Sequence, residues 1–331
     1  MPANLTLQYK EAEERFRRAT DPAERMDALR EMLALLPKHK GTEKLHADLK
    51  KRLSKLEEEG EQVARSGARH HDPGHVRREG AGQWVLLGPP NAGKSSLLAA
   101  MTHAHPEIAE YPFTTREPLP GMMAYEDVQV QLVDTPAVAA GHTEPWLGNL
   151  AHGADGLLLV LDVAADDLEP SWAALVELLR RARVWPAARP LPADASPLTA
   201  VLPVLALGNK CDLDPDGTFA ALAREAVGAD LPFHPVSAAR GDGLEALRAV
   251  LFKELRRIRV YTKEPGHRHE PSKPFVLRAG ATVNDLALAI HKDIAARMKF
   301  ARIWGRGARF DGQQVEKGHA LDDGDVVELH A

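Results

Sequence analysis

Residues 83–98 read QWVLLGPPNAGKSSLL: an apolar run, a glycine-bearing loop, a lysine–serine step, then a fresh apolar repeat. The loop Gly88-Pro89-Pro90-Asn91-Ala92-Gly93-Lys94-Ser95 matches G-x-x-x-x-G-K-[ST] between an expected strand and an expected helix. Glycines let backbone amides turn inward onto phosphates. Lys94 neutralises the phosphates, and the Ser95 hydroxyl is a magnesium ligand. The expected nucleotide contacts here are Gly88, Asn91, Ala92, Gly93, Lys94, Ser95 and Ser96.

Outward from this loop, strand-like and helical patterns alternate. QVQLVD, GLLLVLDV, an amphipathic stretch from Trp172 to Arg183, VLPVLALG, PFHPVS and a helical stretch from Gly243 to Arg257 follow in turn. The alternation predicts an α/β domain over 82–262, with a mainly parallel sheet and helices on both faces. Asp134 ends one strand, where a carboxylate holds magnesium through water. Asn209-Lys210-Cys211-Asp212 follows another. The Asp212 carboxylate there accepts two hydrogen bonds from guanine that adenine cannot donate, so discrimination between the bases is strong. Ser237 and Ala238 sit in a further loop whose backbone amide meets the guanine oxygen.

The turn after Asp134 departs from expectation. Asp134-Thr135-Pro136 leads to Ala137, where a phosphate-sensing turn usually has glycine, and the next residue is Val138 rather than a water-orienting glutamine. Alanine keeps the amide but loses easy access to positive φ. If the triphosphate-bound turn needs a glycine-only conformation, Ala137 adds a cost on the order of 1 kcal/mol or more.

The flanks are of different character. Up to residue 67 the chain is rich in Glu, Lys, Arg, Leu and Ala. Asp21-Pro22-Ala23-Glu24 is a helix start, followed by Leu29, Leu33 and Leu36; Thr42 starts a second helix carrying Leu45, Leu49, Leu53 and Leu56. A helical hairpin is expected. Its charged face is read as solvated, with RNA contact through Lys38, Lys40, Lys44, Lys50, Lys51 and Arg52 as the alternative. Residues 68–81 change to Gly, His and Arg and read as a linker rather than as a metal site of His70, His71, Asp72 and His75. The Pro/Ala-rich run 183–201 reads as a surface loop. From 272 to 331 a strand, a helix capped by Thr282 with Asp285 in its first turn, and further strands predict a small grasp-like domain.

Composition narrows the classes. The chain has 331 residues, 44% apolar, a formal net charge of −5 and one cysteine. That excludes a wholly basic nucleic-acid coat and an internal disulfide. No apolar run approaches membrane-spanning length, so no membrane association is expected and the protein is placed in the cytoplasm.

GPPNAGKSSLL, EYPFTTREPLPG, LVDTP, GNKCD and VSA together resemble the Obg-related GTPases, most closely the developmentally regulated GTP-binding protein (DRG) branch. The N-terminal PKHKGTEKLHADLKKRLSKLEEE is similar to that branch's helical arm, and the C-terminal sixty residues to its ubiquitin-like TGS domain, so the likeness covers nearly the whole chain. The resemblance implies that Thr115 is the switch threonine that binds magnesium with Ser95 and Asp134. It implies potassium stimulation through Asn91, against the alternative of a loop-stabilising amide. Relatives that prefer ATP have Asn-x-x-Glu where Asp212 stands here, so the resemblance implies GTP and GDP. Two departures follow. DRG relatives have an extra α/β insertion for which 137–209 is too short, and their Gly-Leu-Ile-Glu-Gly reads Ala137-Val138-Ala139-Ala140-Gly141 here. His142 and Glu144 are the nearby polar substitutes, against the ordinary reading of solvated loop residues.

Near the C-terminus, Lys292, Arg297, Lys299, Arg302, Arg306 and Arg309 interleave with Phe300, Trp304 and Phe310. Cations that neutralise phosphates beside aromatics that stack on bases suit RNA; Phe300 is expected in the core. The whole reads as a GTP-binding switch with slow magnesium-dependent hydrolysis, with Lys94, Thr115, Asp134 and Ala137 as its hydrolytic residues, acting on a ribosome or structured RNA. A non-hydrolysing adaptor is the alternative.

Overall fold

The computed structural model describes residues 7–18, 22–36, 42, 45–54, 74–102, 117–139, 143–265 and 273–330. The chain divides into two compact units, Met1–Asp72 with Leu191–Ala200, and Pro73–Pro190 with Val201–Ala331.

In the first unit, α1 (Leu7–Arg18) precedes α2 (Pro22–Leu35), and a further helix, α3, covers 45–54. Pro22 opens α2 at the position where a missing N–H costs nothing. Leu29, Leu36 and Leu49 are buried with Tyr9, Ala12 and Met32. The hairpin expected from two leucine repeats therefore has an additional member, α1, whose pattern carries tyrosine and alanine instead of leucine. Lys50, Lys51 and Arg52 are exposed, away from Leu49; Lys38, Lys40 and Lys44 lie outside the described residues.

The second unit holds two sheets. Its first part runs β1 (Gln83–Leu87), α4 (Lys94–Met101), β2 (Leu119–Tyr125), β3 (Val128–Asp134), α5 (Leu147–Gly153), β4 (Gly156–Asp162) and α6 (Leu168–Arg181). It continues with β5 (Val184–Pro186), β6 (Ala200–Leu202), β7 (Val204–Asn209), α7 (Thr218–Val227), β8 (Phe233–Pro235) and α8 (Leu244–Glu254). The main sheet has the order β2-β3-β1-β4-β7-β8, parallel except for the antiparallel β2–β3 hairpin. β1 is buried along its whole length because both its faces are covered. Trp84 and Leu86 pack with α4 and α8, while Val85 and Leu87 pack with α5, α6 and α7. Strands buried on both faces need continuous apolar runs, which is why QWVLL and GLLLVL do not alternate. Close packing also fixes Gly156, where a Cβ would stand 2.5 Å from the buried Trp84 ring. The run 183–201, expected as an unstructured loop, begins and ends in the short β5–β6 pair.

The second sheet corrects a domain boundary. β9 (Arg257–Thr262), expected at the end of the nucleotide domain, pairs antiparallel with β10 (Phe275–Arg278) and parallel with β13 (Asp325–His330). It is the first strand of the C-terminal domain, which therefore begins near 257 and not at 272. Between these strands lie α9 (Val283–Ile290), α10 (Lys292–Arg297), β11 (Phe300–Trp304) and β12 (Gln313–Val315), giving the strand order β10-β9-β13-β11-β12. Thr282 and Asp285 form the expected capping box. The helix that Thr282 caps ends at Ile290, and α10 follows it after His291, whose backbone is extended.

Candidate nucleotide site

Every strand that carries an expected nucleotide contact points its C-terminal end at one place. Gly88 leaves β1, Asp134 ends β3, Asn209 ends β7, and Ser237 follows β8. In an open α/β sheet the crevice outside those ends is the ligand site.

At the phosphate loop, Gly88 is forced by proximity, since a Cβ would lie 2.4 Å from the Val160 carbonyl oxygen. Gly93 has φ +83° and abuts Asn209, whose Nδ2 would be 2.3 Å from a Cβ. Asn91 is exposed with φ 59°, a conformation that asparagine tolerates better than most residues. Lys94 is buried, and its ammonium donates to the Gly88 and Pro89 carbonyls at 3.0 and 3.1 Å. Burial pushes its pKa down to about 8, partly opposed by the Asp134 carboxylate. Ser95 Oγ donates to Asp134 Oδ2 at 2.5 Å, and Thr135 N–H donates to Asp134 Oδ1 at 2.9 Å. Ser96 is half-buried one position further along α4.

The turn after Asp134 is tied down. Thr135 Oγ1 donates to the Leu86 carbonyl at 2.5 Å, and the Val138 N–H donates to the Gly88 carbonyl at 2.9 Å. Gly88 therefore has one oxygen shared by the phosphate-loop lysine and the turn. Ala137 is buried and does not adopt positive φ, so alanine is unstrained in this arrangement. Glu144 is exposed. Thr115 and His142 lie outside the described residues.

At the other end, Asn209 is 1% exposed and joins two loops: Nδ2 donates to the Ala92 carbonyl at 2.8 Å, and Oδ1 accepts from the Ala238 N–H at 3.0 Å. Asp212 Oδ1 accepts from Ser237 Oγ at 2.6 Å, and Ser237 Oγ accepts the Arg240 N–H at 3.1 Å. Lys210, with φ 66°, reaches Asp162 Oδ2 at 2.6 Å. Sequence reasoning missed Asp162 and the Thr135 tether. The only local mark of Asp162 is that it closes the apolar run of β4; its partner Lys210 is brought to it by strand register.

Magnesium requires oxygen donors, and Ser95 and Asp134 supply a hydroxyl and a carboxylate within hydrogen-bond distance of one another, a set that fits the ion. Among the described residues no three His, Cys, Asp or Glu side chains gather as a metal site, and no helix is long and apolar enough to cross a membrane.

On the C-terminal domain, Lys292, Arg297, Lys299, Arg302, Arg306 and Arg309 are all exposed. Phe300, expected in the core, instead shares the opposite face of β11 with Arg302 and Trp304 and stacks on His330 with ring centroids 4.4 Å apart. The core positions of β11 are Ala301 and Ile303. Lys263 sits 4.2 Å over the Trp304 ring, and Phe310 is 67% exposed.

Comparison with known proteins places two families on the chain. Residues 83–188 match the 50S ribosome-binding GTPase family, and residues 258–331 match the TGS domain, in keeping with the boundary that β9 sets. An uncharacterized GTP-binding protein of Halobacterium salinarum is 29% identical, covering 93% of this chain and 98% of that one. Developmentally-regulated GTP-binding protein 2 of Homo sapiens is 24% identical over 92% of this chain and 98% of its own length. Among solved structures, a GTP-binding protein from Pyrococcus horikoshii OT3 is 17% identical with a TM-score of 0.47, covering 75% of this chain and 99% of that chain.

Proposed function

With the chain a homologue of the DRG-type GTP-binding proteins, carrying a GTPase and a TGS domain, we propose that it is a guanine-nucleotide switch that hydrolyses GTP slowly and acts on the ribosome or structured RNA. The observation that carries this is the convergence of Lys94, Ser95 and Asp134 with Asn209 and Asp212 on one crevice, a charge-bearing end and a base-reading end. Lys94 neutralises phosphate, and Ser95 and Asp134, with Thr115, hold magnesium. The ion, when bound, supplies charge neutralisation to the phosphates. Asp212, with Ser237 already holding one oxygen, offers the other to the guanine edge. Asn91 is the candidate potassium contact.

Slowness follows from what the turn lacks. Val138 carries no group that orients water, and its N–H is engaged by the Gly88 carbonyl. That bond also favours the second reading, a GTP-dependent adaptor without hydrolysis. Single-turnover GTP hydrolysis in potassium and in sodium, with Lys94→Ala as control, separates the two. Turnover no faster than the control in both salts sinks the enzyme reading. The exposed cations of the C-terminal domain support the ribosome or RNA partner; co-sedimentation with ribosomes in the GTP and GDP states tests it, and absence from the ribosomal fractions in both states overturns it.

A further inference from the structure

The nucleotide path fixes what lies in its middle. The phosphate loop leaves β1 and the base-reading loop leaves β7, and β4 lies between them in the sheet. A nucleotide with phosphates at Lys94 and base at Asp212 must cross the C-terminal end of β4. That end is Asp162, paired in register with Asn209.

Asp162 is held before it meets any ligand. Its Oδ1 accepts the N–H of Ala164 at 3.0 Å, a local turn that sets the carboxylate, and Oδ2 takes the Lys210 ammonium at 2.6 Å. Lys210 has a left-handed backbone, disfavoured for a residue with a Cβ, which sends its side chain from the end of β7 back to the end of β4. The side chains are 32% and 17% exposed, so the pair adds little stability. What it supplies is direction to a long, rotatable side chain. It also masks charge: without the lysine, a carboxylate would stand in the path of an anionic ligand.

We propose that Asp162 is a positioning residue for nucleotide recognition, tethering Lys210 so that its methylene stem lines the passage between base and phosphates. This rests on the guanine-nucleotide reading above. Two consequences differ from those of a merely structural contact. Asp162→Asn in the otherwise native chain weakens GDP binding about tenfold, with the melting temperature unchanged. In a Lys210→Ala background, the same Asp162→Asn change costs nothing or tightens binding, because it then removes an unmasked negative charge. Asp162→Glu recovers part of the affinity by keeping the tether.

The test is equilibrium binding of fluorescent GDP to the full chain for the wild type, both single variants, the double variant and Asp162→Glu, with ADP as competitor. Equal affinity of Asp162→Asn and wild type overturns the proposal, as does an equal loss in both backgrounds. A wild type that binds GDP no better than ADP overturns the guanine reading itself, and the two failures are distinguished by that one arm.

Discussion

The two ends of the crevice are prepared differently. At the base end the buried polar groups clasp the loops together: Asn209 joins two loops, and Ser237 holds one oxygen of Asp212, a half-buried carboxylate. At the phosphate end the ligand-binding groups are satisfied by one another. Lys94 donates to two loop carbonyls, Ser95 to Asp134, and the Val138 N–H to Gly88. A base therefore meets loops already joined to one another, whereas a terminal phosphate must displace the bonds that hold its own ligands. The base end is fixed by its own loop contacts and the response to phosphate is an exchange, a division of labour that suits the proposed switch.

Gly93 is where the two ends touch, and Gly93→Ala breaks both at once. The added Cβ meets Asn209 Nδ2 at 2.3 Å, and φ +83° is itself unfavourable to alanine. The clasp between loops and the phosphate cradle are lost together, with a destabilisation of about 2–4 kcal/mol. Thermal unfolding and GDP binding check this; a fully stable variant with native affinity would show that the ends are independent.

Lys94→Ala breaks only the phosphate end. GTP affinity falls at least about 100-fold, the scale of a lost charge-assisted contact, while the fold survives because the Gly88 carbonyl retains the Val138 N–H. Isothermal titration with GTP measures it. Asp212→Asn breaks only the base end, replacing a carboxylate that only accepts with an amide whose NH2 donates. Preference for GDP over xanthosine diphosphate falls by about 10–100-fold or inverts, with phosphate contacts intact.

These positions were legible to very different degrees. The phosphate loop and Asn209–Asp212 are local runs whose chemistry is written in adjacent residues. Asp162 is not, because its meaning depends on the register that sets it beside Asn209. The boundary at β9 was hidden for a similar reason. α8 passes into β9 through Leu255 and Arg256 alone, with no proline or glycine to mark the change. What makes Arg257–Thr262 a strand is its pairing with segments far along the chain. The tether between the two domains is equally non-local: Arg259 pairs with Asp323 of its own domain and with Glu126 and Asp127 at the tip of the β2–β3 hairpin, while lying 5.4 Å over the Phe252 ring. No local pattern announces such an arginine.

A subtler way to sharpen the comparison is pH. In the free protein, burial brings the Lys94 pKa down to about 8 from an ordinary value of 10.5. The unfolded chain thus binds more protons than the fold between those values, and this group raises stability as pH climbs from about 8 toward 10.5. Triphosphate favours the charged lysine, so binding near pH 8 takes up a proton and GTP affinity falls as pH rises further. Titration calorimetry in buffers of different ionisation enthalpy detects the uptake. The Lys94→Ala variant shows none, and uptake persisting in that variant would assign the proton elsewhere.

The smallest expected effect lies at Ala137. Here it is buried and unstrained, and its neighbour Val138 is bonded to the phosphate loop. Alanine is thus well suited to the state in which the turn is tied back. Glycine would lose that advantage by roughly 0.5–1 kcal/mol through chain entropy, while gaining access to conformations a Cβ obstructs. Both changes favour release of the turn toward phosphate. Ala137→Gly should therefore raise the single-turnover hydrolysis rate by about twofold to fivefold and lower the melting temperature slightly, leaving GDP affinity unchanged because the base end is untouched. A rate that does not move, with the melting temperature reduced as expected, would locate the slow step in the side chain of Val138 and not in the backbone of Ala137. The exchange of bonds at Gly88 would then cease to be what limits the switch.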